Sequence, residues 1–162
     1  MNDEVLRSQL IAQLEGGQAY TPVVEILKDY PIQHAGTRIG TIVHTPWELL
    51  EHLRIAQWDI LYFTIDPNHV TPPWPDEHWP HQSAPADASA WNASAANFLD
   101  QLDGVKTLAR DPAIPLLDAI PHGSGQTYLR EILLVADHNA HHLGQLLMLR
   151  RALEALEGQT TL

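Results

Sequence analysis

Between about Gln126 and Glu157 the apolar residues recur at helical spacing, which predicts one helix of about 48 Å that Gly158 is expected to end. A chain of 162 residues built around a rod of that length needs other long helices beside it to cover its apolar face. Within the rod, LVADHNAHHLGQLLMLRR (residues 134–151) sets His138, His141 and His142 within five positions. The fold and the role of those histidines therefore have to be read together.

Three further long helices are legible. Residues 3–15 carry Val5, Leu6, Ile11 and Leu14 at roughly helical spacing, with Gly16 and Gly17 as the stop. HTPWELLEHLRIAQWDILYF contains the clearest start in the chain: Thr45 and Glu48 make a capping box, Pro46 occupies the first turn, and a helix over 46–65 follows. It is apolar on two sides, with Trp47, Leu50, Leu53, Trp58 and Leu61 on one and Leu49, Ala56 and Phe63 on the other. Such a helix is either deeply buried or shared with a second copy, so a homodimer is expected. Residues 88–108 carry Trp91, Ala95, Phe98, Leu99, Leu102 and Val105 at spacings of three and four, and TPVVEILKDY predicts a short helix with Thr21 as cap and Pro22 first.

Between 66 and 87, DPNHVTPPWPDEHWPHQSAPAD mixes proline and tryptophan with acids and shows no period. It predicts one long ordered loop, either functional or a strap over one end of the core. With no alternating segment and no repeat, the expectation is an all-α fold in a single domain spanning 1–162. Its form would be a four-helix bundle with a short extra helix and that loop between the second and third long helices.

Twenty acidic residues against nine basic ones give a formal net charge of −11 with histidines neutral, a field that repels a phosphate backbone and excludes nucleic acid as a partner. The absence of cysteine removes thiolate nucleophiles and Cys-based zinc sites, leaving His, Asp and Glu as metal ligands. No run approaches the ~18 consecutive apolar residues of a spanning helix, and the acidic N-terminus is unlike a signal peptide. A cytoplasmic protein with no membrane partner is expected.

At 100° per residue, His138 and His142 lie about 40° apart, on the face that also carries Val135, Leu146, Leu149 and Leu153. That face points into the core, where uncompensated polarity is costly. His141 lies about 100° from His142, at the edge of the stripe. Two imidazoles at i and i+4 can present nitrogens to one ion, although Asn139 after His138 rules out the HExxH pattern of zinc proteases. The 46–65 helix offers a third ligand, His52, on the face of Leu49, Ala56, Asp59 and Phe63. Together, His52, His138 and His142 make a candidate metal site with coordination positions left for water; the alternative is a set of histidines hydrogen-bonded to core carbonyls.

PWELLEHLRIAQWDI followed far downstream by GQTYLREILLVADHNAHHLGQL, with its His-x-x-x-His-x-Gly-Gln spacing, resembles the DinB-like superfamily of bacterial four-helix-bundle metalloproteins. The resemblance covers most of the chain, least so the first helix and the 66–87 loop. It implies that His52, His138 and His142 bind one divalent metal, commonly zinc or nickel, in a cleft between helices. It also implies homodimers and small-molecule substrates, with some relatives transferring a low-molecular-weight thiol and others described as metal-dependent hydrolases.

Two carboxylates are placed to assist. Glu131 lies seven residues before His138 on the same face, and Asp59 lies seven after His52. Each could orient an imidazole or act as base on an activated water, or simply form an ion pair with Arg130 or Arg54. Gln145 either hydrogen-bonds a ligand or borders the apolar stripe. The loop histidines 34, 44, 69, 78, 81 and 122 are expected mostly to face solvent, with some of them lining the cleft as the alternative, and Arg38, Arg54 and Arg130 are the cations available to hold a carboxylate. The favoured reading is a metal-dependent hydrolase; a thiol transferase and a non-catalytic metal-binding protein are the rivals.

Overall fold

The computed structural model describes residues 3–160, and among them the chain is all-helical, with no strand. The α-helices are α1 (Asp3–Glu15), α2 (Val23–Leu27), α3 (Pro46–Ile65), α4 (Ala88–Arg110) and α5 (Tyr128–Thr160), with 3₁₀ turns at Ile32–His34 and Asp76–His78. Among these described residues no helix is long and apolar enough to cross a membrane.

Local chemistry explains most boundaries. Gly16 and Gly17 end α1 in left-handed conformations, φ +71° and +82°, that other residues adopt only with strain. Thr45 accepts from the Glu48 amide at 3.1 Å while the Glu48 carboxylate accepts from the Thr45 amide at 2.8 Å, the reciprocal pair expected at the start of α3. Asp87 caps α4 by accepting from the Ala90 amide at 2.9 Å. Two expectations are corrected. Pro22 rather than Thr21 occupies the cap of α2, with no side-chain bond there. And α5 runs past Gly158 to Thr160, since one glycine costs a helix only about 1 kcal/mol relative to alanine.

Side chains close the remaining ends. The carbonyls at the end of α4 would be orphaned in the core, and the buried Arg7 of α1 donates to Ala109 O, Asp111 O and Ile114 O at 3.1, 2.7 and 2.8 Å. Arg150 of α5 does the same beyond α2, reaching Lys28 O at 2.7 Å.

The four long helices neighbour one another in the order α1, α4, α3, α5, with α2 against α5. Leu10 and Leu14, Leu50 and Leu53, Phe98 and Leu102, and Leu143 and Leu146 are all buried, one pair from each helix. Each contributes about 2 kcal/mol by leaving water. At Gly104 a Cβ would meet Leu61 Cδ2 at 2.9 Å, so α3 and α4 approach closely there. On α3, Leu49, Leu50, Leu53, Ala56 and Leu61 are buried, Trp47, Trp58 and Phe63 half-buried, and Tyr62 and Ile65 exposed. The 66–87 segment lies over α3 through its 3₁₀ turn.

Candidate metal centre

α3 and α5 lie side by side, and this brings His52 against the His138–His142 pair. One ligand nitrogen from each of the three lies within 4.8 Å of the others. Ring centroids are 4.9 Å apart for His52 and His138 and 4.6 Å for each of the other two pairs, a nearly equilateral triangle. His52 Nε2 and His138 Nε2 are 3.0 Å apart. The helical spacing thus delivers the three-histidine set as the sequence leads one to expect.

Neighbouring acceptors set the tautomers. His52 Nδ1 is 2.7 Å from the His78 carbonyl, which can only accept, so Nδ1 carries the proton and Nε2 keeps its lone pair. His142 Nδ1 donates to Gln145 Oε1 at 2.9 Å, and the Gln145 amide donates onward to His141 Nε2 at 3.2 Å. His142 Nε2 is left free to ligate.

Burial pushes His52 down to about 4, against the opposing hydrogen bond to His78, with His142, His78 and His44 adding repulsion. Burial likewise pushes His138 down to about 3, helped by His142 and His52 and opposed by its side-chain hydrogen bond with Asn139. His142 is lowered for the same first reason, although its bond to Gln145 opposes the shift. All three are therefore neutral near pH 7, the form in which imidazole binds a metal.

His138 supplies a test of fit. Its Nε2 faces His52 Nε2 at 3.0 Å, so to ligate through Nε2 it must carry its proton on Nδ1, and the adjacent Asn139 side chain is the hydrogen-bonding group that acts on this imidazole. Two nitrogens bound at about 2.1 Å to one ion sit about 3.0 to 3.4 Å apart, and the 3.0 Å separation of the His52 and His138 nitrogens matches. The cluster could hold a divalent metal ion.

The two carboxylates lie elsewhere. Asp59 is buried, with Oδ1 2.7 Å from His69 Nε2 and Oδ2 3.4 Å from His78 Nε2. It reaches His52 only through His78, whose carbonyl accepts from it. Glu131 is buried and paired with Arg130 at 2.6 Å, the ion-pair alternative, and sits about 10.5 Å along α5 from His138. Neither carboxylate joins the histidine cluster. Arg38 and Arg54 are paired with Glu48 and Glu51, so the three arginines considered for an anionic ligand are each committed to a glutamate.

The loop histidines need correction. His78 is buried and His69 half-buried, because Asp59 needs partners inside the core and the loop brings them. Trp79, half-buried, lies flat between His52, at 3.8 Å and 2°, and His44, at 4.0 Å and 13°. A buried acid on α3 opposite a loop rich in His and Trp was the signal that could have revealed this. His141 is exposed and linked to the cluster only through Gln145, in keeping with its position off the inward face.

A family model described as the DinB superfamily matches residues 13–146. Compared with curated proteins and with solved structures, the chain finds no match.

Proposed function

The chain belongs to the DinB superfamily, and from that premise we propose that it is a metal-dependent hydrolase whose His52, His138 and His142 hold one zinc or nickel ion. The reading takes residues 1–162 as a single four-helix-bundle domain of that superfamily, acting in the cytoplasm as a homodimer. The observation that carries it is the convergence of three neutral imidazoles on one point, with His52 Nε2 and His138 Nε2 3.0 Å apart, the spacing that two ligands of one ion take. When bound, the ion supplies Lewis acidity that yields a nucleophile from water near neutral pH.

The chain's own residues do the rest. The His78 carbonyl holds the proton of His52 on Nδ1 and so aims Nε2 inward. Gln145 does this for His142. The stacked Trp79 keeps water off one face of His52. Asp59 acts as an outer partner through His78, and Glu131 as half of an ion pair. Transfer of an anionic thiol is the weaker reading, because Arg38, Arg54 and Arg130 are all occupied.

Elemental analysis of metal-loaded wild type and His52→Ala tests the site, with about one ion per chain expected in the first and loss in the second. Wild-type stoichiometry near zero under replete conditions overturns the reading. A panel of esters and amides, set beside electrophiles supplied with thiols, tests the reaction. Turnover only with thiol moves the assignment to a transferase, and bound metal without any turnover moves it to a non-catalytic metal-binding protein.

A further inference from the structure

Beside the three imidazoles, the 42–44 segment, the first turns of α3 and the middle of α5 enclose a cleft of about 620 Å³. That lies within the range of ~300 to 1,000 Å³ typical of small-molecule sites. Its apolar wall is formed by Ile42, Val43, Leu49, Met148 and Leu149. Ile42, Val43 and Met148 are left 47%, 68% and 63% exposed, which is unusual for large apolar side chains unless something covers them. Gly144 forms the floor, and a Cβ there would meet nothing within 4 Å.

The polar groups of the cleft are His44, His141 and Gln145; no lysine, arginine, aspartate or glutamate lines it. All three connect to the metal centre. Gln145 bridges His141 to His142, and His44 stacks on the Trp79 ring that stacks on His52. The cleft therefore adjoins the groups that position the ligand imidazoles, although none of those three imidazoles lines it.

We propose that this cleft is the substrate pocket, and that it selects an uncharged, largely apolar small molecule whose polar end reaches the three imidazoles. The proposal rests on the hydrolase reading for the word substrate, and on the cleft alone for the ligand class. A carboxylate entering the cleft would lose water against an apolar wall and find no cation, while the net charge of −11 opposes its approach.

The test is fluorescence titration with the neutral probe N-phenyl-1-naphthylamine, displaced by 1-naphthaleneacetamide or by its near-isosteric anion 1-naphthaleneacetate, with metal loaded and with metal chelated. The amide is expected to displace the probe at least about tenfold better than the acetate. Gly144→Phe, which fills the floor, is expected to weaken probe binding at least about tenfold at unchanged helicity. Met148→Lys is expected to raise acetate affinity about tenfold, a gain that misfolding cannot mimic.

Probe binding that survives Gly144→Phe, or preference for the acetate in wild type, overturns the pocket whether or not metal is bound. A variant-dependent change from dimer to monomer with no probe binding in wild type overturns it too, and assigns the face to a second copy. Absence of metal with the probe results as expected overturns the hydrolase reading alone, so the two failures are distinguishable.

Discussion

His52 and His138 hold their protons loosely because burial strips water from the charged imidazolium and each faces another imidazole. The consequence is a stability that depends on pH. Below the ordinary value of 6.5 an unfolded histidine takes up a proton, whereas folded His52 refuses one until about 4 and folded His138 until about 3. The unfolded state binds more protons throughout that window, so these residues contribute full stability above 6.5 and lose it as pH falls from there. The expected outcome for chelated protein is a Tm that declines from pH 6.5 toward pH 4, with a shallower decline in His138→Leu, which removes one titrating group from the apolar face. Parallel melting curves in wild type and variant would show that the imidazoles titrate normally.

The strap across α3 is the element whose work the sequence hid most completely. Asp59 pins it through His69 and His78, Thr45 bonds Ser83 O at 2.7 Å, and its Trp79 covers His52. Replacing Asp59 by Asn leaves one acceptor oxygen for two imidazoles, so the turn at Asp76–His78 loosens and the His78 carbonyl shifts from His52. Changes to such outer partners cost about 10- to 100-fold in metal affinity, and a value near the lower end is expected for Asp59→Asn, read by competition with a chelating dye. Unchanged affinity with reduced hydrolysis would instead make Asp59 part of the chemistry. The helices were legible because cap, proline and apolar period are local: Thr45, Pro46 and Glu48 announce α3 within four residues. Contacts of the strap were not, because a segment without a period has no face from which to deduce what its His and Trp side chains touch.

At the scale of the molecule, the all-helical class followed from four amphipathic stretches, but their neighbour order did not. Only the histidines gave a reason to set the 46–65 helix beside α5, and the structure makes those two helices neighbours. The core itself does not need them. Leu10, Leu14, Phe98, Leu102 and Val105 are buried on helices that carry none of the three ligands, and the cluster they join extends over all the long helices. This separates the protein from small domains whose folding energy is metal binding. Chelation is therefore expected to leave the far-ultraviolet dichroism of the helices intact while removing only the stabilisation that binding adds by mass action. With free metal at about 1,000 times Kd that stabilisation is about 4 kcal/mol, which for a chain of this size corresponds to a fall in Tm of roughly 8 to 16 °C. Thermal melts with and without chelator read it directly. Loss of helicity on chelation would mean that the three imidazoles hold α3 and α5 together, making the ion a structural member of the core and favouring the reading without turnover.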